Sequence, residues 1–214
     1  MTQKLLYAHV LIDRSGSMKS CRDSTIDAFN EYVSSLANDP DVDAAVSLSL
    51  FDSGHAQALR LKLVFDGKKA ADMPKLTRET FVPAGGTPLN DAIGKTVERI
   101  DGEWHRPGEG IALVILTDGQ ENASKEFTKD AIKKLLDGRQ KDKNWLVIYL
   151  GANQDAFAEG AVRGMSAANT MGYSVQNVGA TMKAAARSTA MYAATGSATL
   201  AQFTDEERKK AAGH

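Results

Sequence analysis

Five runs of apolar residues along the chain have the length and pattern of β-strands. Three of them, at residues 5–12, 111–117 and 145–151, are nearly continuous in apolar residues. Such runs are typical of strands that are covered on both faces, as in a parallel α/β sheet. The other two, at 44–51 and 58–65, alternate apolar with polar positions. This alternation predicts strands with one less buried face or at a sheet edge, and the short connection between them predicts an antiparallel pair.

Helical periodicity separates these strands. Apolar residues recur three or four positions apart from about residues 26, 88, 127 and 175, which predicts four helices that each bury one face. A shorter helix is expected at 153–165 and a short last strand near 170–174. Pro88 suits a first helical turn, because its missing N–H has no partner within the helix there. Thr204 and Glu207 have capping-box spacing, which predicts a short helix near the end of the chain.

Strands that alternate with helices predict an α/β fold. We expect a doubly wound, mostly parallel sheet with one antiparallel edge strand and helices on both faces. One domain is expected over residues 4–196, with a tail at 197–214 that lies outside the core. The long helix at 175–192 is expected to pack on the sheet, and a role in dimer formation is the alternative. In such folds, ligands bind at the carboxyl ends of the strands.

Composition narrows the classes of function. The chain has 214 residues, of which 43% are hydrophobic and 25% are charged, and its formal net charge is −1. This balance suits a globular protein and gives no broad basic surface for nucleic acid or anionic membranes. No stretch reaches the roughly 18 apolar residues of a membrane span, and no secretory signal is recognisable. We therefore expect a cytoplasmic protein, whose oligomeric state the sequence does not indicate.

Four single residues have local interpretations. Cys21 is the only cysteine, so an internal disulfide is excluded. His9 lies within the first strand and is expected in the core or on a sheet face. Trp104 is expected to pack beneath a loop, with partner anchoring as the alternative. His55 is expected to face solvent.

Short oxygen-bearing side chains cluster at three element boundaries. Asp13, Ser15 and Ser17 follow the first strand at every second position. Thr87 follows two glycines and precedes a helix, and Asp118 follows the fourth predicted strand. Hard oxygen donors suit magnesium, with manganese and calcium as alternatives, and they do not suit zinc or copper. Two carboxylates and three hydroxyls cannot fill six positions without water, and magnesium commonly keeps several waters.

These three loops resemble those of von Willebrand factor type A domains. The segments DRSGSM, GGTPLNDAI and LTDGQEN resemble the metal-ion-dependent adhesion site of that family, whose pattern is Asp-x-Ser-x-Ser, then Thr, then Asp. The resemblance covers residues 4–196 and extends to the order of strands and helices. It implies metal-binding roles for five residues: Asp13, Ser15, Ser17, Thr87 and Asp118.

The resemblance also implies how these residues act. Ser15 and Ser17 would bind the ion directly, and Thr87 would bind it directly or through water. Asp13 and Asp118 would act through water and orient hydroxyls. The remaining position would take an Asp or Glu from a protein partner. Single-domain intracellular members of the family suggest an adaptor or scaffold, with no enzymatic activity and no nucleic-acid or membrane ligand.

Other interpretations of the same residues remain open. Each of the three loops, taken alone, also suits a turn or a helix cap. A metal-dependent phosphoesterase could use the same site, but it would need a general base, and Asp52 is the only spare carboxylate that the sequence places near this sheet end. A structural or virion-associated protein, in which a metal only stabilises the loops, is a third alternative.

Overall fold

A six-stranded sheet forms the centre of the protein. The computed structural model describes residues 4–104, 109–152 and 155–213. The strand order is β3-β2-β1-β4-β5-β6, and β3 alone runs antiparallel to its neighbour. This confirms the predicted mostly parallel sheet with one antiparallel edge strand. The strands are β1 (Lys4–Asp13), β2 (Val42–Ser53), β3 (Leu59–Lys69), β4 (Gly110–Thr117), β5 (Leu146–Ala152) and β6 (Thr170–Tyr173).

Helices cover both faces of the sheet. One buried cluster contains apolar residues of α1, α5 and alternate positions of the central strands, and a second contains those of α2, α3 and the remaining positions. In β1, for example, Val10 belongs to the first cluster and Leu11 to the second. The helices are α1 (Arg22–Ala37), α2 (Leu89–Glu103), α3 (Lys129–Asp142), α4 (Ala156–Ala161), α5 (Val178–Thr195) and α6 (Asp205–Ala212).

The polar residues of β2 alternate with apolar ones although they do not face solvent. β2 lies inside the sheet between β1 and β3, and Ser47 and Ser49 are buried. They bind the buried side chains of β1: the Tyr7 hydroxyl donates to Ser47 Oγ at 2.9 Å, and His9 Nε2 lies 2.9 Å from Ser49 Oγ. The predicted less buried face of β2 is therefore wrong, because a polar network replaces solvent there.

Two predicted helices have different bounds. The helix expected at 153–165 spans only Ala156–Ala161, and Asn153 and Gln154 lie outside the described residues. Gly164 follows with a φ of 77°, a left-handed conformation that does not continue a helix. The helix expected from residue 175 begins at Val178, after a single 3-10 turn.

Four residues with individual predictions lie in described parts of the structure. Pro88 caps α2 at its N-terminus, so the helix begins one residue later than expected. His9 is fully buried, which confirms the core interpretation. Trp104 stacks on Tyr7 of β1 with ring centroids 3.9 Å apart, and residues 105–108, which follow it, lie outside the described residues. His55 is exposed, as expected.

The end of the chain packs against the rest of the protein. Ala201, Phe203 and Ala211 are buried in the cluster that contains α1 and α5, although the tail was expected outside the core. Arg187 of α5 pairs with Glu207 of α6 at 2.5 Å. The predicted capping box is formed at the start of α6. Across the described ranges, no helix combines the length and apolar content that crossing a bilayer requires.

Candidate metal centre

The ends of β1 and β4 bring two of the three predicted loops together. The strands are parallel neighbours, with Ile12 opposite Leu116. Just beyond this pair, the Thr117 hydroxyl donates to Asp13 Oδ2 at 2.6 Å. In the following residues, the Ser17 hydroxyl donates to Asp118 Oδ1 at 2.6 Å. Segments far apart in sequence are thus joined directly through the predicted site residues.

The first loop turns its alternate side chains toward one another. The backbone N–H of Ser15 donates to Asp13 Oδ1 at 2.7 Å, and the hydroxyl oxygens of Ser15 and Ser17 are 3.0 Å apart. Asp13 and Ser15 are buried, whereas Ser17 is exposed. The loop therefore gathers three oxygen-bearing side chains between the protein interior and the surface.

The surroundings of Gly119 show that the Thr87 loop lies beside the other two loops. A Cβ built on Gly119 would lie 2.8 Å from Thr87 Oγ1, 3.6 Å from Asp13 Oδ2 and 3.7 Å from Ser17 Oγ. Oxygen atoms of the Thr87 loop and of the Asp13–Ser17 loop therefore lie within 3.7 Å of one position beside Gly119. A side chain at position 119 would press on Thr87 Oγ1, so glycine lets these oxygens approach the loop that carries Asp118.

The Thr87 loop is held against its neighbours by glycine backbone. Gly85 has a φ of 71°, and a Cβ there would lie 2.0 Å from the carbonyl oxygen of Ser53, so only glycine fits. The N–H of Gly16 donates to Gly85 O at 3.0 Å, and the N–H of Ser53 donates to Gly86 O at 3.0 Å. Glycine at position 85 thus has a clear structural reason.

Two carboxylates lie in this site without a basic partner among the described residues. Burial raises the pKa of Asp13 to about 7, against hydrogen bonds from Thr117 and Ser15 that favour its ionised form, and the nearby charge of Asp118 adds to the increase. Burial also raises the pKa of Asp118, and its hydrogen bond from Ser17 opposes the shift. Uncompensated negative charge of this kind favours a bound cation.

The donor atoms fit a hard divalent cation. Among the described residues, no group of three or more His, Cys, Asp or Glu side chains could hold a metal by itself. An ion at this site would depend on the hydroxyl oxygens in addition to two carboxylates. That combination suits magnesium or manganese better than metals that prefer nitrogen or sulfur.

Asp52 has a structural role beside the site. It is fully buried, and its two carboxylate oxygens accept hydrogen bonds from Arg14 Nε at 2.8 Å and Arg60 Nε at 2.5 Å. Arg14 lies within the first loop, so this ion pair fixes that loop to the end of β2. A carboxylate held by two arginines is poorly suited to act as the general base that a hydrolase would need.

Sequence reasoning missed several side chains that support the site. Thr117 was recognised only as the end of a strand, although it binds Asp13. The hydroxyl of Tyr173, in β6, donates to the carbonyl oxygen of Thr117 at 3.4 Å. Burial, followed by the charges of Cys21, Asp118 and Asp13, raises the pKa of Tyr173 well above its usual value. Only the position of Thr117, next to Asp118, signalled such a role in the sequence.

Comparison with known proteins identifies the fold. Proximal thread matrix protein 1 from the mussel byssus matches with a TM-score of 0.61 and 17% identity, over 86% of this chain and 48% of that chain. A von Willebrand factor type A protein from Catenulispora acidiphila matches with a TM-score of 0.58 and 14% identity, over 88% of this chain and 43% of that one. The chain has the von Willebrand factor type A fold.

Two solved structures with this fold are described as containing a metal. Manganese-loaded TRAP protein of Plasmodium vivax matches with a TM-score of 0.57 and 16% identity, over 84% of this chain and 72% of that chain. Another crystal structure of the mussel protein has a zinc-occupied metal-ion-dependent adhesion site. The present chain spans about half the length of the first matching structures. Neither family models nor curated proteins match the sequence.

Proposed function

We propose that this chain is a protein-interaction module that binds an acidic side chain of a partner protein through a divalent cation. The convergence of oxygen atoms beside Gly119 carries this proposal, because it brings Thr87 to the loop of Asp13 and Ser17. Magnesium is the expected ion, with manganese and calcium as alternatives. A mussel protein with a zinc-occupied metal-ion-dependent adhesion site and a manganese-loaded Plasmodium protein have the same fold, which supports divalent-metal binding by this chain.

The proposed roles follow from the hydrogen bonds of the site residues. The hydroxyls of Ser15, Ser17 and Thr87 hold the ion. Asp118 orients the Ser17 hydroxyl, which donates to it, and Asp13 is oriented by Ser15 N–H and Thr117 Oγ1. A bound divalent cation supplies a positive centre for a partner's Asp or Glu. The few anionic ligands leave it enough charge to attract that carboxylate.

An adaptor or scaffold in an intracellular assembly is the role that we infer for the module. The paired state of Asp52 supports binding over hydrolysis, since both its oxygens are engaged by Arg14 and Arg60. Turnover of p-nitrophenyl phosphate with magnesium, abolished by Asp13→Ala, would support the phosphoesterase alternative instead.

The test is affinity capture of partner proteins from cell extract with immobilised wild type and the Asp13→Ala/Ser15→Ala variant, each with magnesium and with EDTA. Asp41→Ala is the matched control, because Asp41 is exposed and lies away from the three loops. We expect a partner that is retained by wild type and Asp41→Ala in magnesium alone. A partner that the variant retains equally, with or without EDTA, contradicts a metal-bridged contact.

A further inference from the structure

Asn122 both accepts a hydrogen bond from the backbone of Thr87 and donates one to it. The N–H of Thr87 donates to Asn122 Oδ1 at 2.9 Å, and the N–H of Asn122 donates to Thr87 O at 3.2 Å. Thr87 Oγ1 makes no hydrogen bond to the described residues. The contact thus uses only main-chain atoms of Thr87 and leaves its hydroxyl free for a ligand.

Asn122 is itself fixed by the loop that carries Asp118. The adjacent Glu121 carboxylate accepts the N–H groups of Ala123 and Ser124 at 2.9 and 2.8 Å. It also accepts the N–H of Asn90, in the first turn of α2, at 2.8 Å. Because Glu121 ties the loop to the helix that follows Thr87, Asn122 is held in a defined place relative to Thr87.

Gly86 allows this close approach. A Cβ on Gly86 would lie 2.9 Å from Asn122 Oδ1 and 3.2 Å from Ser53 Oγ. The Gly86 N–H in turn donates to Ser53 Oγ at 2.6 Å. The segment that carries Thr87 therefore lies between Ser53 on one side and Asn122 on the other, and an added methyl group would displace the Asn122 side chain.

We propose that Asn122 is a positioning residue of the metal site, which places the Thr87 hydroxyl toward the ion. This inference rests on the proposed function, because it assumes that Thr87 contributes to metal binding. Asn122 is exposed, so water can satisfy the Thr87 N–H when the amide is removed. Loss of the side chain should therefore change the metal affinity much more than the stability of the metal-free protein.

The test measures Mn²⁺ affinity of the full chain by calorimetry and by electron paramagnetic resonance. Asn122→Ala is expected to weaken binding about tenfold, as is typical when a residue that orients a ligand is lost. Asn122→Asp keeps an acceptor for the Thr87 N–H and should bind at least as tightly as wild type. Gly86→Ala should weaken binding from the other side of the contact, and Asn38→Ala, at the exposed end of α1, should have no effect.

A double-mutant cycle separates positioning from a general effect on the loop. If Asn122 acts through Thr87, Asn122→Ala adds no further loss of affinity in a Thr87→Ala background. Additive losses, or wild-type affinity in Asn122→Ala beside weakened Thr87→Ala, overturn the inference while leaving the proposed metal site intact. Absence of Mn²⁺ binding by wild type overturns the proposed function itself. Melting temperatures in EDTA verify that each variant is folded.

Discussion

Gly119→Ala is the most direct perturbation of the space between the three loops. The new Cβ would lie 2.8 Å from Thr87 Oγ1, whereas ordinary contacts are 3.4 Å or longer. Gly119 is not among the glycines with positive φ. Alanine therefore introduces no backbone strain of that kind, and the substitution acts through the contact alone.

The size of the effect follows from this contact. To relieve it, the Thr87 hydroxyl or the Gly119 backbone must shift by about 0.6 Å, which exceeds the roughly 0.2 Å within which metal–ligand distances are held. We therefore expect metal affinity to fall about 10- to 100-fold, which corresponds to about 1.4 to 2.8 kcal/mol.

The assay is a calorimetric titration of Mn²⁺ into wild type and the variant, with circular dichroism in EDTA to verify folding. Gly102→Ala is the matched control, because nothing lies within 4 Å of a Cβ at that position. It should leave metal affinity unchanged and stabilise α2 by about 1 kcal/mol. A Gly119→Ala protein that binds Mn²⁺ as tightly as wild type would refute the argument that this space holds the ion.

Three further predictions concern the scaffold. Burial lowers the pKa of His9 to about 3. Between that value and its ordinary value near 6.5, the unfolded state binds more protons at His9, so the contribution of His9 to stability falls by about 2 kcal/mol from pH 8 to pH 5. The raised pKa of Asp13 acts in the opposite direction in both proteins, so urea unfolding in EDTA should show this loss as the difference between wild type and His9→Gln, and equal slopes in the two proteins contradict it. Asp52→Asn should destabilise by about 3 kcal/mol, because Arg14 keeps a largely buried charge without its carboxylate; a loss below about 1 kcal/mol by the same method would show that the pair is weak. Thr204→Ala should remove about 1 kcal/mol by breaking the capping box of α6, and an unchanged denaturation midpoint would mean that α6 unfolds separately.

Much of the fold could be predicted because its signals are local. The continuous apolar runs that became β1, β4 and β5 are buried on both faces, so their sequences have little polar content to obscure them. The antiparallel β2–β3 pair follows from two alternating runs joined by a short connection. The order of the three polar loops predicted the type A fold, with which the solved structures agree.

The errors arise where tertiary contacts override local pattern. The serines of β2 resemble a solvent-facing row, but buried Tyr7 and His9 on the neighbouring strand supply their hydrogen-bond partners. Nothing in the sequence of β2 alone reveals this. The tail similarly gained its buried positions from α5 and β6, which no local periodicity could indicate.

In the candidate site, too, some features could be predicted from the sequence and others could not. Its five oxygen-bearing residues could be named from their spacing and from their positions after strands or, for Thr87, before a helix. The supporting contacts could not, since Asp52 with Arg14 and Asn122 with Thr87 join segments far apart in the chain. Side chains such as Asn122 have no distinctive spacing relative to the residues that they hold.

The central claim is that the three loops together hold a divalent cation, and a crystal structure grown with Mn²⁺ tests it most directly. The account predicts an anomalous difference peak bonded to the hydroxyl oxygens of Ser15 and Ser17, with Thr87 Oγ1 bonded directly or through one water. The peak should be absent in crystals of Asp13→Ala grown under the same conditions. A wild-type map without a peak between these loops, or with manganese bound only at another place on the surface, would contradict the account.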